Sequence, residues 1–439
     1  MPAPLVVLSL PGLRLQDIPA MPVLAQLASA GQSARIEHSF PSVTWPSQCN
    51  ALTGSRAEAH GVVANGFYWR DKNEVEMWTA WNEVIERPQI WDSIKQKKPE
   101  LKTAAWFPML AKGCNADYVC MPAPIHKPDG SEDMWCHTKP QEFYGELLDQ
   151  LGHFPLQHFW GPLAGIQSSQ WIVESAVLTA RKFAPDFWYI YLPHLDYAAQ
   201  KFGPNSEQAM AALGALDSVL ATLTGEFANI YPESPVWLAI SEYVITDVDH
   251  VCYPNRRLRE SGLLKVVESG GREQLDFGNS AAWAMVDHQF SHVFVKNNDA
   301  NIIARVVELF DGVDGLQSVV AGDQRQYLNL DHPRSGDVVL VSTPNSWQAY
   351  YWWLDDDRAP AYARTVDIHR KPGYDPVELF FDPATKSIPL DAAMVKGSHG
   401  APAITPEMQG ALICSCPDIT IDDVVADIKL HDLMLDLVR

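Results

Sequence analysis

Apolar residues follow two rhythms along this chain. Leu5 to Leu10 (LVVLSL) is an unbroken, β-branched run, the pattern of a strand covered on both faces. Met21 to Gly31 (MPVLAQLASAG) has helical spacing and stops at a glycine. Strand-like runs recur at FWYIYL (187–192), VWLAIS (236–241), HVFVK (292–296) and VVLVS (338–342). Between the first two of these, Met210, Leu213, Leu216, Leu220, Leu223 and Phe227 recur every three or four residues and predict an amphipathic helix. Strand and helix in alternation predict an α/β fold, a mostly parallel central sheet with helices on both faces. Two stretches break the rhythm, about 66–170 (rich in Trp, Pro, Gly and His) and about 250–395. Both read as irregular insertions in one domain spanning 1–439, with the first helping to roof the site.

Composition and charge narrow the classes. With 47% hydrophobic and 20% charged residues the chain is globular rather than disordered. Thirty-three Lys and Arg against 54 Asp and Glu give a net charge of −21, which excludes binding of nucleic acid over a broad surface. A small phosphate-bearing ligand remains compatible if its pocket supplies local positive charge, such as a metal ion. No apolar stretch approaches the roughly 20 residues of a membrane span, and Met1 to Leu10 has no basic residue ahead of its apolar run. Seven cysteines, odd in number and without a CxxC pair, read as reduced thiols, and a cytoplasmic location is expected.

Ligands of open α/β sheets sit at the carboxyl ends of the strands. Those positions hold Pro11-Gly12; Phe40 to Gln48 (FPSVTWPSQ), running on to Thr53-Gly54 and to His60 to Asn65 (HGVVAN); Pro193 to Pro204 (PHLDYAAQKFGP); Ser241-Glu242-Tyr243; and Lys396 to Gly400 (KGSHG). Thr44 opens what reads as a short helix closed by Gly54. Its hydroxyl has two readings. It could cap the helix, or it could be a nucleophile beside free backbone N–H groups that suit a phosphate.

The stretch FPSVTWPSQCNALTGSRAEAHGVVAN, followed in order by LDYAAQKFGP, SEY and GSHG, resembles the nucleotide pyrophosphatase/phosphodiesterase branch of the alkaline phosphatase superfamily over nearly the whole chain. The resemblance implies a metal-dependent phosphoric-ester hydrolase acting through a phospho-Thr44 intermediate on a small phosphate-ester or nucleotide-like substrate. Carried over by position, Thr44 is the nucleophile and Asn65 holds a phosphate oxygen. Asp196 and His399 ligate one metal, while Glu242 and Thr44 belong to the second. The family's cofactor is a pair of zinc ions flanking the nucleophile.

Departures from the pattern are specific. Pro11 stands where the family has an aspartate, Gln200 where it has a histidine, and Glu242-Tyr243 where it has Asp-His. Proline has no donor atom, and neutral tyrosine is a poor substitute for imidazole. These losses carry an alternative reading, a degenerate member that binds a phosphate- or nucleotide-like ligand without turning it over. Residues of metal-compatible type occur elsewhere: His194; Asp287-His288 with His292; Asp331-His332; and Asp367, His369 and Asp375 in VDIHRKPGYDP. In that last segment Arg370 and Lys371 read as a phosphate clamp. The many tryptophans, Asp355-Asp356-Asp357 and the lone His60 read as structural.

Overall fold

The computed structural model describes residues 3–126 and 132–438; residues 127–131 of the first expected insertion lie outside the described residues. Thirteen strands form its two larger sheets. In chain order they are β1 (Leu5–Ser9), β2 (Gln32–Glu37), β3 (Thr103–Trp106), β4 (Tyr118–Pro122), β5 (Cys136–Lys139), β6 (Phe187–Tyr191), β7 (Val236–Ile240), β8 (Ala282–Asp287), β9 (Phe290–Val295), β10 (Leu316–Ala321), β11 (Val338–Ser342), β12 (Gly410–Cys414) and β13 (Val424–Ala426). The helices that matter here are α1 (Pro22–Ala30), α2 (Thr44–Thr53), α3 (Ile90–Lys97), α4 (Phe143–Leu151), α5 (Ile166–Phe183), α6 (His194–Phe202), α7 (Glu207–Ile230) and α8 (Leu430–Leu437).

The central sheet has nine strands in the order β13-β2-β12-β7-β1-β6-β3-β4-β5. β1 lies at its middle, with Leu5 opposite Phe187 of β6 on one side and Val236 of β7 on the other, both parallel. Every residue of β1 and β6 is buried, as their unbroken apolar runs require. The sheet is mixed rather than wholly parallel. β12 runs antiparallel to both β2 and β7, and β5 antiparallel to β4. Both are single strands added without a parallel crossover helix, so their direction is free.

Helices cover both faces. α1, α4, α5 and α7 pack one face through residues such as Leu24, Trp171, Leu216 and Phe227. α2, α3 and α8 pack the other through Leu52, Trp91 and Met434. The predicted stripe of α7 is buried from Leu213 to Phe227, whereas Met210, in its first turn, is 45% exposed. HVFVK and VVLVS are strands as expected, but they fall in a second, antiparallel sheet of order β8-β9-β11-β10. Its core includes Trp283, Phe290 and Val341 and extends to Phe40 and Val43, the residues that lead into α2. The Phe40 ring meets that of Phe290 edge-on at 5.3 Å. The second sheet therefore buttresses the approach to Thr44.

Candidate functional site

Thr44 is the first residue of α2, and the N-cap position belongs to Val43, which is extended and caps through no side chain. The capping reading of Thr44 is thereby corrected, because its hydroxyl does not turn back onto the helix. It lies 3.3 Å from the hydroxyl of Tyr243. The capping duty is taken by Asn65, whose Oδ1 accepts the Trp45 N–H at 3.0 Å. Asn65 is pinned in turn by Asp287, which accepts from its backbone N–H at 2.7 Å and from its Nδ2 at 3.1 Å. At the far end Gly54 closes α2 in the left-handed region at φ 64°, as its position in the sequence predicts.

Asp196 sits in the first turn of α6, and Gln200 follows one turn later on the same face. Gln200 Nε2 donates to Asp196 Oδ2 at 2.6 Å, and the Tyr243 hydroxyl donates to Asp196 Oδ1 at 3.3 Å. Tyr374 closes the circuit by donating to Gln200 Oε1 at 2.8 Å. Four rings form a column with a tyrosine at each end. Tyr243 lies flat on His399 with centroids 3.5 Å apart, His399 meets His288 at 3.9 Å, and His288 meets Tyr374 at 3.6 Å. His399 Nδ1 donates to the Ser42 carbonyl at 2.9 Å, and its Nε2 has no hydrogen-bond partner and stands 3.9 Å from Asp196.

His288 enters this column because the β8–β9 hairpin turns on His288-Gln289, with His288 at φ 55°. That backbone conformation normally falls to Gly or Asn in such turns. Its Nδ1 meets Asp287 Oδ1 at 2.5 Å. Glu242, after β7, accepts from Ser9 Oγ at 2.6 Å and Gln48 Nε2 at 2.9 Å, while its second oxygen is buried without a partner.

Burial sets the charge of these groups. It raises Asp196 to about 7, Glu242 to about 8 and Asp287 to about 6, against hydrogen bonds that pull each of them back down. It also lowers His288 and His399 well below the ordinary imidazole range. The interior around Thr44 thus favours uncharged forms.

In front of Thr44 and Asp196 opens a narrow cleft. Its walls are mostly aromatic, with Trp78, Phe159, Trp160, Tyr197 and Tyr374 among them, and no Lys or Arg of the described residues lines it. The residues expected as a phosphate clamp do not reach it. Arg370 is exposed and paired with Asp367. Lys371 is buried, held 2.8 Å from Asp375 and 2.5 Å from Glu378. Asn65 is likewise not on its surface.

The two-ion site that the resemblance implies does not fit these residues. Among the described residues no group of three or more His, Cys, Asp or Glu side chains is arranged to hold a metal ion. Asp196 and His399 do come together, but Gln200 turns its N–H toward Asp196, where a ligand would offer a lone pair. The Tyr243 hydroxyl fills the space between Thr44 and Asp196. Three other metal-compatible histidines have different duties. His292 bonds the Val63 carbonyl and the Gly336 N–H, His332 accepts from the Arg334 N–H, and His369 bonds the Met77 carbonyl.

Tyr374, Trp78 and Trp160 escaped the sequence reading as site residues. Tyr374 lies inside VDIHRKPGYDP, whose charged residues drew attention to themselves, and the tryptophans lie in an aperiodic segment.

A mixed α/β sheet with helices on both faces and a threonine opening a helix at a strand's carboxyl end defines the alkaline phosphatase-like class. Within it the chain belongs to the type I phosphodiesterase / nucleotide pyrophosphatase family, a family of phosphoric-ester hydrolases, whose model matches residues 5–375. Solved structures agree on the fold. Phosphonoacetate hydrolase from Sinorhizobium meliloti 1021, in complex with phosphonoformate, is 16% identical at a TM-score of 0.65, covering 100% of this chain and 96% of that one. Murine ectonucleotide pyrophosphatase / phosphodiesterase 5, in complex with AMP, is 14% identical at 0.63, covering 100% and 95%. The human form is 13% identical at 0.64, covering 99% and 94%. No curated protein sequence matches the chain. No helix among the described residues is long and apolar enough to cross a membrane.

Proposed function

We propose that this protein is a hydrolase of small phosphoric esters in which Thr44 takes the phosphoryl group. The observation that carries this reading is the Thr44 hydroxyl itself, free of capping, facing the cleft at the start of a helix and hydrogen-bonded to Tyr243. Thr44 Oγ1 attacks phosphorus, the new Oγ1–P bond forms and the ester P–O bond breaks. The threonine proton passes to the Tyr243 oxygen as the Tyr243 proton passes to Asp196, and from Asp196 it goes to the leaving alcohol oxygen. Water then attacks phosphorus and gives its proton to Asp196, which returns one through Tyr243 to Thr44 as phosphate leaves. In the first turn of α2 the Thr44 N–H is the backbone donor left for the developing negative charge, since the Trp45 N–H is taken by Asn65, Pro46 has none and the Ser47 N–H bonds the Val43 carbonyl. The zinc dependence implied by the resemblance has no complete donor set among the described residues, and no step passes through a metal. One domain with two insertions is the organisation that this reading uses, and the seven buried cysteines support a reducing compartment such as the cytoplasm.

Thr44→Ala should lower turnover of an aryl phosphodiester by about a thousandfold or more while the protein stays folded. Intact mass spectrometry of the quenched wild type should find a phosphoryl adduct on Thr44. Full activity in folded Thr44→Ala would end the assignment. A second reading, binding without turnover, is favoured by Pro11, Gln200 and Tyr243 in place of family ligands. It predicts no turnover in the wild type with any divalent metal added.

A further inference from the structure

A second cleft shares no residue with the one before Thr44. Its walls come from the strand His250–Cys252, the short helix Pro254–Glu260 and the segment 310–316 that leads into β10. Phe310, Val313 and Leu316 make one side of it apolar. A Cβ at Gly315, which stands at φ 83°, would lie 2.3 Å from His250 Cδ2 and 2.7 Å from Ser346 Oγ, so only a glycine lets the chain close against His250 here.

The short helix carries three arginines, and two of them are tied. Arg259 donates to Glu273 Oε1 at 2.8 Å. Arg256 donates to the Trp353 carbonyl at 2.8 Å, stands 3.6 Å from Asp356 and lies over the Tyr253 ring at 4.5 Å. Arg257 lines the cleft and makes no ion pair and no side-chain hydrogen bond among the described residues. Acidic residues outnumber Lys and Arg by 54 to 33 in this chain, so a half-buried arginine without a carboxylate is out of keeping with its surroundings. Its fork of donors is open to the cleft. The carboxyls on the walls stand at the rim: Glu260 is exposed, and Asp314, 3.9 Å from His250 Nδ1, has a side chain 96% exposed.

One unpaired guanidinium beside an apolar wall, with two acids at the rim, matches a monoanion with an apolar body. A carboxylate meets the guanidinium fork in two parallel hydrogen bonds. A phosphate dianion would carry a second charge past Glu260 and Asp314 with one arginine to receive it. We propose that this second cleft is a binding site for an organic monocarboxylate, paired with Arg257 and packed against Phe310, Val313 and Leu316. The proposal is independent of the Thr44 chemistry.

The test uses the full chain and titration calorimetry with three probes: benzoate, its uncharged counterpart benzamide, and inorganic phosphate. Benzoate should bind at least about tenfold more tightly than either of the others. Arg257→Gln keeps length and polarity but loses the charge, and should weaken benzoate about tenfold while leaving benzamide within about twofold. Thr44→Ala should bind benzoate as the wild type does. Glu260→Gln stands in should Arg257→Gln fail to fold, since removing an exposed acid at the rim should tighten benzoate about two- to threefold. No benzoate binding by the wild type, equal binding of benzoate and benzamide, or tighter binding of phosphate overturns the site. Benzoate binding unmoved by the variant used overturns it too. Loss of benzoate binding in folded Thr44→Ala would place the anion in the first cleft and end the proposal.

Discussion

Tyr243 has the most consequential side chain near Thr44. Its hydroxyl stands 3.3 Å from both Thr44 Oγ1 and Asp196 Oδ1, and its ring lies flat on His399. One residue therefore joins the nucleophile to a buried carboxyl by hydrogen bonds and closes one end of the ring column by stacking. Phenylalanine separates the two duties. Tyr243→Phe keeps the stack and removes both hydrogen bonds, so turnover should fall about a hundredfold, the usual scale for a lost proton-transfer partner. Its stability should change by only about 1 kcal/mol, since two long hydrogen bonds are lost without opening a cavity. Turnover measured beside a urea titration checks both, and unchanged turnover would mean that the proton leaves Thr44 by another route.

Among the elements, α2 does most to define the site. It is short, nearly all of its residues are buried, and it is held at both ends: Asn65 satisfies the Trp45 N–H, and Gly54 ends it at φ 64°. A Cβ at Gly54 would lie 3.2 Å from His431 Cβ and 3.4 Å from the Ile428 carbonyl oxygen. Left-handed backbone and crowding against the chain beside α8 thus act together. Gly54→Ala should cost about 1–2 kcal/mol, detected as a lower urea midpoint at unchanged slope. An unchanged midpoint would show that the C-terminal turn relaxes freely. α6 contributes by its period, since Asp196 and Gln200 are one turn apart and must meet on one face. The segment 367–378 contributes through Lys371, whose burial between two carboxylates fixes where Tyr374 and Trp160 stand.

For the whole molecule, a net charge of −21 acts on anything that approaches. A field of that sign repels an anionic phosphoric ester. The kcat/KM for an aryl phosphodiester should therefore rise several-fold between low salt and about 0.5 M, as the Debye length shrinks to a few Å. A salt-independent kcat/KM would show that the approach of the ester is governed by the site alone.

Local information was enough for part of this protein. An unbroken apolar run must be a covered strand, so β1, β6 and β7 were legible, as was the amphipathic stripe of α7. Thr44 and Gly54 were legible too, because the start and the stop of a helix are written within a few residues. The antiparallel course of β12 was not, since direction depends on how the chain returns after its long second insertion and leaves no trace in the strand's own apolar pattern. Nor was the N-cap at Val43, with Asn65 serving the helix from 20 residues away. The cleft lies furthest from the sequence. Trp78, Trp160, Asp196 and Tyr374 come from separate segments, and their ring angles and hydrogen-bond partners exist only once two cores have packed against each other. The same holds for Gln200 and Tyr243. Sequence marks them as lost ligands, while packing makes them members of a closed hydrogen-bonded circuit with Asp196 and Tyr374. Periodicity encodes which face of a segment is buried, but a site assembled from distant segments is decided by the shape they enclose.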